Sequence, residues 1–146
     1  MASKIPSGPR CVAIVGPYLS GKTTLLESIL NLCGATSRKG NVTDGNTVGD
    51  NSPEARARKM SVEVNVATTE YLGDEWTFLD TPGSVELIRE THVNLSIADS
   101  AIVVCEPGAA KVFAVTRLLL DLDDKGIPYI IFINKIDNTE TKIKET

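Results

Sequence analysis

Soft metal ligands are scarce in this sequence, which holds three cysteines and one histidine in 146 residues. Cys11, Cys33 and Cys105 lie inside apolar segments at no metal-ligand spacing, so a zinc cluster is excluded. An odd number of cysteines placed this way predicts buried free thiols in a reducing compartment. Long apolar runs are missing as well. The N-terminus has no uninterrupted apolar stretch of the signal-peptide kind, and no segment is long enough to span a bilayer. A cytoplasmic location with no membrane partner is therefore expected. Positive charge is also in deficit, with 15 Lys and Arg against 19 Asp and Glu, a formal net charge of -4. That balance argues against a broad nucleic-acid-binding face, and no sequence-specific nucleic-acid contact is expected of this segment. At 42% hydrophobic residues the chain can bury a core, and its length suits one domain.

What the chain does have is a glycine-bounded loop behind an apolar run. Cys11 to Val15 reads as a strand, and Gly16, Pro17, Tyr18, Leu19, Ser20, Gly21, Lys22 and Thr23 follow it in the G-x-x-x-x-G-K-[ST] pattern, with Thr24 next. Gly16 and Gly21 permit backbone conformations that a side chain would block. Successive N–H groups can then wrap phosphate oxygens at the N-terminus of the following helix. Lys22 would neutralise the β- and γ-phosphates, and the Thr23 hydroxyl would sit on Mg²⁺.

Beyond the loop, Leu25, Ile29 and Leu32 recur at helical spacing, widened by Leu26 and Leu30, with Gly34 placed to end the helix in a left-handed cap. Residues 35–51 are polar, carry Gly40, Gly45 and Gly49, and lack periodicity, which in a compact domain marks a functional or disordered loop. Ser52 and Pro53 suit the start of a short helix through about Arg58. Arg56, Arg58 and Lys59 there read as a solvated face. Val62, Val64 and Val66 alternate as a half-buried strand would, and a turn at Gly73 and Asp74 leads into a second strand, Trp76 to Leu79, making a hairpin. A helix is expected from about Val85 to Ser96, then a strand from Ser100 to Cys105. Another helix is marked by Val112, Val115, Leu119 and Leu122 and closes near Gly126. Pro128 opens a last strand, Tyr129 to Ile133.

Alternating strands and helices predict an α/β fold, a mostly parallel sheet with one antiparallel edge strand and helices on both faces. Ligands on such sheets bind beyond the carboxyl ends of the strands. Three motifs stand at three such ends: the loop, Asp80-Thr81-Pro82-Gly83, and Asn134-Lys135-Ile136-Asp137. Asp80 fits an acidic residue that holds Mg²⁺, and Gly83 can bring its N–H to a γ-phosphate. An Asp-x-x-Gly taken alone is only a turn signal. Asp137 could accept two hydrogen bonds, from the ring N–H and the exocyclic amine of guanine, a pair that adenine lacks. The expected ligands are therefore GTP or GDP with Mg²⁺.

With these motifs in this order, the chain resembles the GTP-binding domain of translational GTPases, most nearly elongation factor G and its paralogues, from about residue 11 to residue 137. The resemblance implies a P-loop NTPase fold of the small-GTPase kind and a domain spanning residues 1–146 that is the N-terminal fragment of a longer protein. It also implies GTP hydrolysis, with Lys22, Gly83 and Ser84 at the reacting phosphate, and action on the ribosome. The long loop before the hairpin would be the first switch, ordered by the γ-phosphate and Mg²⁺. Three positions depart from the family pattern. The first switch reads Arg58-Lys59-Met60-Ser61, making Ser61 the candidate hydroxyl ligand of Mg²⁺, or leaving Val62 there if the alignment shifts by one. Leu19 stands where the family commonly has Asp. Ser84 stands where the family has a water-positioning His, and His92 lies too far along to replace it. An alternative to the enzyme is a nucleotide-dependent switch with little hydrolysis. A later Ser-Ala motif that would contact the guanine is absent after Asp137, so the domain is expected to be incomplete at its C-terminus.

Overall fold

A computed structural model describes residues 8–49, 64–83 and 93–137. The expected short helix after Ser52, Ser61 and Val62, Ser84 and His92, and residues 138–146 lie outside the described residues.

Five strands form one sheet: β1 (Arg10–Val15), β2 (Asn65–Tyr71), β3 (Asp74–Asp80), β4 (Ser100–Cys105) and β5 (Tyr129–Ile133). Their order is β2-β3-β1-β4-β5. β1 pairs in parallel with β3 and β4, β4 in parallel with β5, and β2 is antiparallel to β3. This is the mixed, mostly parallel sheet expected. Among the described residues, α1 (Lys22–Leu32) and α2 (Ala109–Asp124) pack on it, residues 93–95 are helical, and a 3₁₀ turn occupies Val42–Asp44.

The two faces of the sheet can be read along β1. Val12 and Ile14 join Leu26 and Leu30 of α1, Ala67, Phe78 and Val104 in one core cluster. Ala13 and Val15 join Leu95, Ala101, Val103, Cys105 and the α2 residues Val115 and Leu122 in the other. A central parallel strand covered on both sides must be apolar at every position, and β1 from Val12 on is so. α1 ends as expected: Gly34 has φ 77°, and the amides of Gly34 and Ala35 donate to the carbonyls of Asn31 and Leu30, closing a Schellman motif.

Several expectations are corrected. The stripe of α1 centres on Leu26 and Leu30, with buried Glu27 beside them, while Leu32 is 85% exposed. In β2 the inward positions are Ala67 and Thr69, and Val66 points outward. At Val66 the phase is therefore opposite to that expected. A one-residue change of phase turns every side chain to the other face. The hairpin turn is Leu72 and Gly73, φ 54° and 83°, and Asp74 already pairs with Tyr71 as the first residue of β3. Positive φ at both central residues is what a type I′ turn requires. Cys105 is buried, but Cys11 and Cys33 are half-buried; all three are free thiols. Among the described residues no helix is long and apolar enough to cross a membrane.

Candidate functional site

The loop from Gly16 to Thr23 leaves the carboxyl end of β1 and enters α1 directly. A Cβ on Gly16 (φ 147°) would overlap the Val104 carbonyl of the neighbouring strand, and one on Gly21 (φ 97°) would overlap the Asn134 amide. Both glycines are thus fixed by close approach as well as by backbone angle. Gly21 caps α1 without a side-chain hydrogen bond, and the first turn of the helix carries no acidic residue. The positive end of the helix dipole is therefore left to an external anion. Within the loop, the Ser20 amide donates to the Pro17 carbonyl at 3.2 Å. Tyr18 and Leu19 are exposed, and Leu19 adopts φ 60°, unusual for a leucine. Thr24, the third residue of α1, is exposed too.

Lys22 is 7% exposed and turns back into the loop, donating to the carbonyls of Gly16 (3.0 Å) and Pro17 (2.9 Å). Burial lowers its pKa to about 8, against the opposing pull of the Asp80 carboxylate. Gly83 packs against the same group, so that a Cβ there would overlap the Lys22 ammonium and crowd the Pro17 carbonyl. The second motif is locked to β1 by Thr81, whose amide (3.1 Å) and hydroxyl (2.9 Å) both donate to the Ile14 carbonyl. That lock sets fully buried Asp80 opposite Thr23, whose hydroxyl donates to the carboxylate at 2.7 Å.

The third motif braces the first. The Asn134 amide continues from β5 onto the Cys105 carbonyl (2.8 Å), and its side-chain amide donates to the Ser20 carbonyl (2.9 Å). Lys135 (φ 56°) donates to the Leu19 carbonyl (2.6 Å) and pairs with Glu106 at 2.8 Å. Asp137 is exposed just beyond. Asn134 and Lys135 therefore hold the phosphate loop in shape, a role their place in the motif did not disclose. Glu106 and Glu27 were not anticipated from the sequence, and Thr81 was named only as a member of the second motif, without a role. Their partners are distant in the chain, and no spacing rule marks them.

Thr23 and Asp80 offer two hard oxygen donors side by side. That suits Mg²⁺, which keeps several waters and is bound through one or two protein oxygens plus phosphates. Among the described residues no group of three or more His, Cys, Asp or Glu could hold a metal alone, so a cation here would be completed by water and phosphate oxygens.

The strand–loop–helix unit, with its glycines at close approach and its sheet order, is that of a P-loop NTPase of the G-domain kind. Residues 8–146 match the family model of the elongation factor Tu GTP binding domain, and the chain belongs to that family. It is 53% identical over 136 residues to the elongation factor G-like protein of Synechocystis, covering 93% of this chain and 20% of that protein. Among solved structures it resembles a Thermus thermophilus protein at TM-score 0.83 and 34% identity, covering 89% of this chain and 20% of that one. It also shares the fold of the translation elongation factor SelB of Methanococcus maripaludis, solved with the GTP analogue GPPNHP, at TM-score 0.66 and 20% identity; the match covers 97% of this chain and 25% of that one. The chain thus spans about one fifth of the length of the curated relatives it matches.

Proposed function

We propose that this chain binds GTP and GDP with Mg²⁺ and hydrolyses GTP as the G domain of an elongation factor G-like translation factor working on the ribosome in the cytoplasm. The observation that carries the reading is the junction of the three motifs. Thr23 meets Asp80, Lys22 meets Gly83, and Asn134 and Lys135 grip the loop at Ser20 and Leu19. In this reading the loop amides from Gly16 to Lys22 and the N-terminus of α1 take the phosphates, and the Lys22 ammonium exchanges its two carbonyls for phosphate oxygens. Thr23 and Asp80, with Ser61 of the first switch, would hold Mg²⁺, which would supply charge neutralisation for the phosphates. Gly83 would place its N–H at the γ-phosphate, and Ser84, the next residue in sequence, is the candidate to hydrogen-bond the attacking water. Asp137 reads the guanine edge, and its exposure leaves the carboxylate open to the base.

A second reading, a nucleotide-dependent switch with slow hydrolysis, is favoured by Leu19 and Ser84. Leu19 is 59% exposed in the loop and offers no carboxylate to a second cation. A serine at residue 84 can hydrogen-bond a water but has no imidazole to polarise it.

Binding titrations with and without a chelator test the division of labour. Lys22→Ala is expected to lose most GDP affinity in either condition, because the ammonium meets phosphate directly. Thr23→Ala is expected to lose chiefly the tightening caused by Mg²⁺. Normal GDP binding by Lys22→Ala would remove the phosphate-cradle assignment.

A further inference from the structure

Glu27 lies one helical turn beyond Thr23 on α1 and is 1% exposed. A carboxylate so buried needs partners, because desolvation of an uncompensated charge is costly. It finds them in the polar loop: Oε2 accepts the Gly40 amide at 2.8 Å and Oε1 the Val48 amide at 2.6 Å. The fit is close. A Cβ on Gly40 would stand 2.6 Å from Glu27 Oε2 and 2.8 Å from the Thr47 Cα, and Thr47 is itself buried. The stretch between is pinned by its own turn, with the Asn41 side chain capping the 3₁₀ helix at Thr43 (3.0 Å) and Asn46 accepting the Asn41 amide (2.6 Å).

The held stretch ends against the site. A Cβ on Gly49 would overlap the Asn65 side chain, and Asn65 is the residue of β2 paired with Asp80. Asp80 accepts the Thr23 hydroxyl, and Thr23 shares a helix with Glu27. These contacts close a ring: Thr23, Glu27, the loop at Gly40 and Val48, Gly49, Asn65, Asp80 and back to Thr23.

We propose that Glu27 is a positioning residue for the metal-binding pair Thr23 and Asp80. By fastening the 40–49 stretch to α1, it completes the ring that holds α1 and the β2–β3 pair at the spacing a cation needs. The inference rests on the nucleotide reading above and deepens it. It also gives this part of the first-switch region an anchor in the protein itself, where the family resemblance looked only to γ-phosphate and Mg²⁺.

Two substitutions open the ring from opposite sides. Glu27→Gln keeps shape but turns an N–H₂ toward one of the two backbone donors. Gly40→Ala leaves Glu27 intact and wedges a methyl against it. In the full chain, both are expected to raise the Mg²⁺ concentration needed for half of the metal's effect on GDP affinity by about tenfold or more, the usual cost of removing a partner behind the direct ligands. GDP affinity in excess chelator is expected to stay unchanged, and trypsin cleavage after Arg38 and Lys39 to quicken. A purely structural role would lower the melting temperature and leave the Mg²⁺ midpoint where it was, and that result overturns the proposal. Should Glu27→Gln fail to fold, Gly40→Ala and hydrogen exchange of the unmodified chain decide. The Gly40 and Val48 amides are expected to be protected with Mg²⁺ and GDP, and exchange at the rate of free amides overturns the ring. If the unmodified chain binds no guanine nucleotide, the functional reading falls; if it binds and the midpoint does not move, this inference alone falls.

Discussion

Nucleotide affinity should fall as pH rises through about 8, and Lys22 is the reason. Its ammonium is buried against the carbonyls of Gly16 and Pro17, and burial brings its pKa down to about 8. A bound polyphosphate holds the charged form, so its pKa in the complex lies well above that value. The sign follows. Below about pH 7 the free site is already protonated and Lys22 adds no pH dependence. Above about 8 the free site has lost its proton and must regain one on binding, so affinity drops as pH climbs. With a free-site pKa of about 8, the charged fraction goes from about nine-tenths at pH 7 to about one-tenth at pH 9. Affinity should fall about tenfold over that range, or about 1.4 kcal/mol. Titration calorimetry with GDP in two buffers of different ionisation heat reads the proton directly, with about half a proton taken up at pH 8. A pH titration of free GDP supplies the reference that subtracts titration of the nucleotide itself. Equal affinities at pH 7 and 9 after that subtraction, with no proton uptake, would refute the buried-ammonium account.

Two other expectations concern the loop. Gly16→Ala should cost about 2–4 kcal/mol of stability in urea unfolding, since it combines a forbidden backbone angle with overlap on the Val104 carbonyl. Gly34→Ala, at φ 77° with open space around it, should cost only about 1 kcal/mol; equal losses would mean that close approach does not matter at Gly16. Single-turnover GTP hydrolysis should be slow in the unmodified protein with ribosomes present, gain little from Ser84→His alone, and gain more from Ser84→His with Leu19→Asp, because groups that act as a unit are not additive. Fast turnover by the unmodified protein would eliminate the slow-switch reading.

Much of the fold was legible because the parallel strands are apolar runs ended by turn signals. β4 at Ser100–Cys105 and β5 at Tyr129–Ile133 fall where the runs and Pro128 put them. The end of α1 was legible because Gly34 is the residue a left-handed cap demands. β2 was misread for a physical reason: it is an edge strand of the sheet. Its register comes from the Leu72 and Gly73 turn and its pairing to β3, so a valine can point outward and Thr69 inward. α1 was misread at Leu32 because a buried acid took a place in the stripe. Hydrophobic periodicity cannot register Glu27, whose partners lie 13 and 21 residues further along. A carboxylate flanked by Leu26 and Ser28 in an apolar helix was the available clue. The site residues followed from motif chemistry, but the contacts that assemble them did not. Asn134 reaches Ser20 across 114 positions, a proximity only the folded sheet creates.

The central claim is that the site takes guanine nucleotides, with Asp137 as the reader of the base. Competition of GTP and ATP against labelled GDP tests it most directly. A polar group left unpaired at a two-bond contact costs a few kcal/mol, so GTP should displace the label at concentrations at least about a hundredfold lower than ATP. Equal displacement by the two nucleotides would contradict the account.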